Sequence, residues 1–313
     1  MAGRAARACN NARPMRAAEA STDRKALAAL VAGAVCIGFA PIFVRLTEVG
    51  YTATAFWRIA LALPPLFAIW LARRPRAAAP HDDRLRWFAL AGAFFAADLA
   101  VWHQSIRFTS VANSTLLANL APVFVTAGSV WIFGERITPR FVGGLLLALA
   151  GSAALVGDSF RISLGTVLGD GLGIVTALFY AGYLLGVSRL RQRATAIEVI
   201  WWSSLACAAV LLPLTLALGE PLWPSTARGW EVLAGLALVS QVAGQGLIAW
   251  AMAHLPAAFS SVSLLVQPVA AALLAWLLLD ERFGALQALG GAIVIAGIVT
   301  CRLAMTARGD TPG

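Results

Sequence analysis

Charged side chains are scarce in this chain of 313 residues, where they make up only 12% of the total. A typical soluble domain carries roughly 25%. The chain is also 60% hydrophobic, which excludes an ordinary water-soluble fold. Its charges sum to +9, a balance that in a soluble protein would suggest nucleic acid as a partner.

Catalytic and nucleotide-binding motifs are missing as well. The sequence has no GxxxxGK(S/T) loop for ATP phosphates, no HExxH zinc motif and no GxSxG nucleophile turn. The channel signatures NPA and TVGYG are also absent. The cysteines lack the spacing of a metal or redox site; they are Cys9, Cys36, Cys207 and Cys301. We therefore predict that the protein is not an enzyme and has no catalytic residue, metal or cofactor.

Long apolar runs account for most of the chain. Each is close to the roughly 20 residues that cross a bilayer as a helix, and too long for the strands of about 10 residues in a membrane barrel. Because backbone groups in lipid must be bonded within their own segment, these runs are predicted helices. The ten runs are 26–46, 52–72, 85–107, 112–134, 139–156, 168–188, 196–218, 229–253, 257–280 and 284–303. The predicted fold is an all-α polytopic membrane protein with ten transmembrane helices.

Positive residues are unevenly divided between the two sides of this predicted bundle. Eighteen flank one side: Arg4, Arg7, Arg13, Arg16, Arg24, Lys25, Arg73, Arg74, Arg76, Arg84, Arg86, Arg136, Arg140, Arg189, Arg191, Arg193, Arg302 and Arg308. Five flank the other: Arg45, Arg107, Arg161, Arg228 and Arg282. Because Lys and Arg accumulate in cytoplasmic loops, both termini are expected in the cytoplasm. The Ala/Arg-rich composition suggests a bacterial inner membrane.

This division explains the net charge without nucleic acid. The expected partners are therefore the lipid bilayer and a small-molecule substrate, and a monomer is compatible with the sequence.

One stretch, from Ala112 to Val156, recurs 146 residues later without a gap. Each copy contains a mid-span proline, a Glu-Arg pair at the end of a span, and two glycines seven residues apart. These landmarks are Pro122 and Pro268, Glu135-Arg136 and Glu281-Arg282, and Gly144, Gly151, Gly290 and Gly297. A repeat at a fixed offset indicates a duplication, and the glycines predict close packing between spans 5 and 10.

Five spans per copy is an odd number, so the second copy must cross the membrane in the opposite direction. Inverted-topology repeats are typical of secondary transporters. The predicted organisation is a disordered basic cytoplasmic tail at 1–25, a first five-helix repeat at 26–156 and a periplasmic linker at 157–167. A second five-helix repeat at 168–303 and a cytoplasmic tail at 304–313 complete it.

The order of mid-span proline, Glu-Arg pair and glycine-rich last helix resembles the EamA-type transporters of the drug/metabolite transporter superfamily, over residues 26–303. Gly134-Glu135-Arg136 matches the family pattern, whereas Asp280-Glu281-Arg282 departs from it at the first position. The abundant tryptophan and phenylalanine make the chain most similar to YddG-type aromatic amino acid exporters. Span 1 lacks the membrane-embedded glutamate of the small multidrug pumps in this superfamily, which argues against their proton-coupled mechanism.

Polar and aromatic residues on the central spans form the candidate substrate site. Asp98 and Trp102 share one face of span 3 by the helical spacing of three or four residues. Such a mixture suits an amphipathic cavity for a solute with a flat apolar part; interhelical hydrogen bonds and interfacial tryptophans are the alternative. The candidate substrate-binding residues are Trp102, Asp98, His103, Asn119, Tyr180, Tyr183, Gln245, Trp250, Ser263 and Gln267.

Four other residues are assigned hinge or structural roles. Pro122 and Pro268 are the expected flex points of spans 4 and 9, because neighbouring helices can satisfy the freed carbonyl. Glu135 and Glu281 are expected to end helices at the membrane interface and to close the turn to the next span. A gating role is the alternative for both glutamates.

Arg58 is the fifth structural residue, and it lies at a depth similar to that of Asp98. Ionisable groups at such depth usually mark a function or a buried pair. Their opposite charges predict an ion pair. A proton switch, or a watery cavity in which they contact a zwitterionic substrate, is the alternative.

The predicted function is a secondary transporter that exports small organic metabolites by alternating access through a central cavity between the repeats. The resemblance implies neutral or aromatic amino acids as substrates. Export of drugs or other metabolites is the alternative. A membrane enzyme acting on lipid-linked substrates would need clustered acidic or histidine residues at one interface, which the sequence does not show.

Overall fold

The computed structural model describes residues 22–73, 82–157, 166–279 and 283–306. Within these ranges the regular secondary structure is entirely helical, and ten helical spans are long and apolar enough to cross a membrane. In order they are spans 1 to 10: Thr22–Leu46, Tyr51–Arg73, Arg84–Phe108, Asn113–Phe133, Pro139–Val156, Val167–Arg191, Ala196–Ala217, Ala227–Ala251, Ala257–Leu278 and Ala285–Met305. The predicted all-α fold with ten spans is confirmed.

Parts of the predicted organisation lie outside the described ranges. These parts are residues 1–21 of the basic tail, the linker interior 158–165, Glu281 with Arg282, and residues 307–313. The repeat boundaries and the side of the membrane on which each loop lies stay predictions.

Both ends of the described chain lie on one side of the bundle. Arg302 Nη2 of span 10 lies 3.1 Å from Asp23 Oδ2 of span 1, as an even number of crossings requires. We call this side the terminal end and the opposite side the far end. Spans 1, 3, 5, 7 and 9 therefore start at the terminal end and spans 2, 4, 6, 8 and 10 at the far end, where the turn at 47–50 between spans 1 and 2 also lies.

Spans 5 and 10 pack against each other through the repeated glycines. A Cβ built on Gly144 would lie 2.8 Å from the Gly297 carbonyl oxygen, and one on Gly151 would lie 2.7 Å from the Gly290 carbonyl oxygen. Moving seven residues forward along span 5, from Gly144 to Gly151, moves the contact seven residues backward along span 10, from Gly297 to Gly290. The two helices therefore run antiparallel. Any side chain larger than hydrogen would force them apart. The predicted packing is confirmed, and the antiparallel register is the one expected of inverted repeats.

Four spans are interrupted just before a proline. Span 4 consists of Val111–Ala118 and Ala121–Phe133, and span 9 of Ala257–Ser263 and Val266–Leu279. Spans 1 and 2 break in the same way, before Pro41 and Pro64. A mid-helix kink was expected at Pro122, but the chain instead ends one helix and starts another with proline in its first turn. Proline is well suited to that position, where its missing N–H leaves no intrahelical bond unmade.

Span 8 contains a feature that the sequence did not predict. Leu236–Gln245 is a π-helix, with α-helix on both sides. Within it Gly244 lies against span 1, where an added Cβ would come within 2.8 Å of Ile37 Cγ1. Such wide turns are rare and occur frequently at functional sites, and this one ends at Gln245, a residue of the central cavity described next.

Candidate functional site

A cavity of about 870 Å³, including the space at its mouth, lies in the middle of the bundle. The first half of the chain lines it from spans 1 to 4, and the second half from spans 6, 8 and 9. Phe95, Leu99, Trp102 and Leu184 give it apolar walls.

The structure brings most of the predicted substrate-binding residues to this cavity. These residues come from five different spans, and the sequence alone could not show that the five spans meet at one cavity. The lining includes Asp98, Trp102, Asn119, Tyr180, Gln245 and Gln267, together with the predicted hinge prolines Pro122 and Pro268 and with Arg58. Contact of any of these residues with a substrate stays a prediction.

The other four predicted residues lie outside the lining. His103 is buried with Nδ1 2.7 Å from the Leu99 carbonyl oxygen, and the Ser263 hydroxyl donates to the Phe259 carbonyl oxygen at 2.9 Å. Trp250 is partly exposed and packs on His254, with ring centroids 4.8 Å apart. Helical spacing does not account for these positions, since His103 and Ser263 each lie four residues from a lining residue, Leu99 and Gln267.

Tyr183 stands directly behind the wall. Its ring stacks on Phe95 with centroids 4.4 Å apart. Its hydroxyl donates to Gln245 Oε1 at 3.3 Å. Tyr183 is not part of the cavity lining, but it contacts two residues that are, Phe95 and Gln245, and so holds them in position.

Arg58 and Asp98 face the same cavity but do not form the predicted ion pair. Between these two described residues no nitrogen–oxygen distance is within 4.0 Å, and neither makes a hydrogen bond to another described side chain. Their exposed fractions are only 4% and 7%. The two described side chains therefore face the same cavity without the direct contact that was predicted.

Further polar groups in the wall lack partners. The hydroxyls of Thr115 and Thr176 are buried without a hydrogen bond, and both residues line the cavity together with Tyr180 and Gln267. Buried polar groups are hydrogen-bonded in the large majority of cases. Thr115 and Thr176 were not predicted; the sequence signal for Thr176 is a single hydroxyl among apolar residues, whereas Thr115 follows two polar residues, Asn113 and Ser114.

At the terminal end, Glu135 joins the two halves. Its carboxylate accepts hydrogen bonds from the backbone N–H groups of Ala257 at 2.7 Å and Ala258 at 3.2 Å. These groups begin span 9, whose N-cap residue Pro256 has no side chain able to accept them. Glu135 was expected to close the turn to span 5; instead it caps a helix of the other half, where the helix dipole favours a negative charge.

At the far end, two other glutamates hold the loop between spans 7 and 8. Glu220 Oε2 accepts from the Thr52 N–H at 2.6 Å and the Ala53 N–H at 3.2 Å. Glu48 accepts hydrogen bonds from the hydroxyls and N–H groups of Thr226 and Ser225. These bonds, Thr226 first, lower the pKa of the Glu48 carboxyl below its ordinary value.

The residues that line the cavity are more deeply buried near the terminal end than near the far end. Residues 257–263 of span 9 are all buried, and Gln245, Ser261 and Leu265 line the cavity there. Trp102 and Thr115, which lie near the far end, remain partly exposed.

The sequence matches the model of the EamA-like transporter family twice, at residues 24–157 and 167–302. The chain belongs to the EamA-like transporter family. Its two matches cover one five-span half each, in agreement with the duplication.

Relatives at modest identity carry transporter names. The chain is 27% identical to the pseudopaline exporter CntI of Pseudomonas aeruginosa, over 77% of this chain and 82% of that protein. It is 29% identical to a protein of Streptantibioticus cattleyicolor named a probable terminal-alkyne amino-acid exporter, over 82% and 84%. It is 24% identical to the Escherichia coli inner membrane transporter YhbE, which is called uncharacterized, over 75% of each.

The fold also has a solved counterpart. A protein crystal structure superposes with a TM-score of 0.75, covering 91% of this chain and 99% of that one at 20% identity. At this identity the likeness concerns the fold alone. Family and named relatives together make the chain a multi-pass membrane transporter rather than an enzyme.

Proposed function

We propose that this transporter exports small organic metabolites, foremost neutral amino acids with aromatic side chains, by alternating access. The observation that carries the proposal is the central cavity, which both halves of the duplication line with aromatic walls and unpartnered polar groups. A flat apolar side chain suits Phe95, Trp102 and Tyr180, and a polar head suits the hydroxyls and amides. The relative named for amino-acid export supports this substrate class.

The direction of export rests on the charges at the two ends. Among described residues, Arg and Lys flank the terminal end far more often than the far end; at the far end they are Arg45, Arg107 and Arg228. By the positive-inside rule the terminal end would face the cytoplasm of a bacterial inner membrane. The conformation described here, whose cavity lining is more buried at the terminal end, would then correspond to the outward-open state of the carrier.

A second candidate is export of a larger metabolite. The relative named as a pseudopaline exporter favours it. Both candidates share the cavity and the alternating mechanism and differ in the solute.

Counterflow in proteoliposomes tests the proposal. Vesicles loaded with unlabelled L-phenylalanine should accumulate labelled L-phenylalanine from outside, because a carrier exchanges substrate across the bilayer. A parallel series with and without a pH gradient separates proton coupling from exchange alone. Protein-free vesicles and vesicles loaded with sucrose are the controls. Absence of trans-stimulation for every neutral amino acid would refute amino-acid export, and leakage without saturation would indicate a channel.

A further inference from the structure

Two side chains of opposite charge, Arg58 and Asp98, line the same cavity without forming an ion pair. Arg58 enters from span 2 and Asp98 from span 3, and both are more than nine-tenths buried. The Arg58 Nε atom has no hydrogen-bond partner. A buried charge that lacks a compensating partner is costly, and two such charges on one wall require ligands that complement both.

The guanidinium of Arg58 is held in place by its neighbours rather than by an acid. Its Cζ atom lies 5.8 Å from the centroid of the Phe95 ring, and Phe95 in turn stacks on Tyr183. A planar cation packed on an aromatic ring keeps its N–H groups available at the edge. This arrangement fixes the position of the charge and leaves its hydrogen-bonding capacity unused by described residues.

Neutral groups with unused capacity surround the two charges. Thr176 of span 6 contributes a buried hydroxyl without a partner, and Tyr180 of span 6 and Gln267 of span 9 contribute further polar side chains to the same lining. Hydroxyls both donate and accept, so they can bind either end of a polar ligand. The cavity therefore offers one cationic point, one anionic point and adaptable groups beside them.

We propose that the cavity selects a zwitterion, in which Arg58 binds the carboxylate and Asp98 binds the ammonium group. A guanidinium matches a carboxylate through two parallel hydrogen bonds, and the ammonium group finds acceptors in Asp98 and the hydroxyls. The apolar remainder of the ligand lies along Leu99 and Trp102. This inference rests on the proposed function, since it concerns the same cavity, and it adds the chemical class that the cavity accepts.

Ligands with a single charge fit this wall poorly. An organic cation would satisfy Asp98 and leave Arg58 uncompensated beside it. An organic anion would satisfy Arg58 and leave Asp98 uncompensated. Juxtaposed like charges and unpaired buried charges are the usual means by which a site rejects a wrong ligand.

Ligand-induced thermal stabilisation of the detergent-purified full chain tests the inference independently of transport. The probes are L-phenylalanine, phenethylamine, which lacks the carboxylate, and 3-phenylpropionate, which lacks the amine. The wild-type chain should be stabilised by L-phenylalanine, with an apparent affinity roughly tenfold or more above that for either analogue, since each charged hydrogen-bonding point contributes about that factor.

The variants Arg58→Gln and Asp98→Asn should alter selectivity in opposite ways. Arg58→Gln should bind L-phenylalanine and phenethylamine alike, and Asp98→Asn should bind L-phenylalanine and 3-phenylpropionate alike. Arg58→Lys keeps the charge without the paired N–H groups and should be intermediate. Arg107→Gln and Glu231→Gln remove the same charges at exposed positions and should match the wild type.

The wild-type measurement decides the question even where a variant fails to fold. Equal stabilisation of the wild type by phenethylamine or by 3-phenylpropionate, or no stabilisation by L-phenylalanine and leucine up to their solubility, would overturn the inference. Unchanged selectivity in a folded Arg58→Gln variant would overturn it too. Zwitterion binding without counterflow would refute the proposed export while leaving this inference standing.

Discussion

Gly144 in the first half and Gly290 in the second occupy equivalent positions and pack in the same way, each against the backbone of the opposite half. Arg58 and Asp98 have no such counterparts. At the same offset of 146 residues the second half has Ser204 and Gly244, and Gly244 is closed off by span 1. The duplication thus keeps the glycines that pack spans 5 and 10, whereas the two charged residues of the cavity are found in the first half alone.

This difference follows from the physical demands on each region. Closely packed membrane helices require small residues on both sides of the contact, so a change in either half is penalised. The cavity must recognise a solute that is not itself two-fold symmetric. One half can therefore supply the charges and the other the amides, Gln245 and Gln267.

Replacing a shared glycine should have the largest effect. Gly144→Leu would place a side chain within 2.8 Å of the Gly297 carbonyl oxygen, and overpacking of this kind should cost about 3 kcal/mol or more. We expect a strongly lowered melting temperature, measured in detergent with the monodisperse fraction from gel filtration. Gly143→Leu is the matched control, because nothing lies within 4 Å of its added Cβ. Equal destabilisation by both changes would disprove the packing role.

The prolines that follow the helix breaks in spans 4 and 9 provide the next test, which asks whether both halves of the chain bend at these breaks during transport. Pro122→Ala and Pro268→Ala each restore a backbone donor and should slow counterflow severalfold, on the order of other hinge changes, with little loss of folded protein. Pro213→Ala is the control, since Pro213 lies inside the unbroken helix of span 7. If Pro122→Ala and Pro268→Ala both show the wild-type counterflow rate, these prolines are not hinges.

The Glu135 cap tests the difference between the two ends. Glu135→Gln should weaken the closed terminal end by about 1 kcal/mol, because a charged group at a helix N-terminus contributes on that order. The expected readout is more frequent opening there, measured as thiol labelling of a cysteine introduced at Ser261. Glu198→Gln removes a carboxylate that caps span 7 within its own half and should not change this labelling. If both variants open the terminal end equally, Glu135 has no special role.

The smallest effect is expected at the far-end loop. Glu48→Gln should lower the melting temperature modestly at neutral pH. The depressed pKa of Glu48 means that the ionised form stabilises the fold above the ordinary carboxyl pKa. That contribution disappears as the pH falls through the lowered value. The difference between wild type and variant should therefore shrink in acid, as melting curves across pH would show. A difference that is constant with pH would exclude the carboxylate as its cause.

The fold was predictable because few physical choices exist for this composition. Apolar runs of spanning length must be helices in lipid, and an odd number of spans per repeat reverses the second copy. The glycine pairs follow from the same reasoning, since the seven-residue spacing of Gly144 and Gly151 puts both on one face.

The candidate site was predictable only in part, because helical spacing gives a face but not its neighbour. Asp98 and Trp102 were correctly placed on one face, yet nothing in the sequence shows that His103 turns to its own backbone. The separation of Arg58 from Asp98 depends on the angle between spans 2 and 3. Likewise, the π-helix that brings Gln245 to the cavity has no recognised sequence signal.

The most direct test of alternating access compares Thr115 and Ser261, which are equivalent by the repeat offset and line opposite ends of the cavity. In a chain without native cysteines, each is replaced by cysteine and labelled from either face of oriented vesicles with an impermeant thiol reagent. The account predicts labelling at 115 from the far face at rest, and labelling at 261 from the terminal face only as substrate is supplied there, while labelling at 115 falls. Simultaneous labelling of both positions from both faces, or no response of either to substrate, would contradict it.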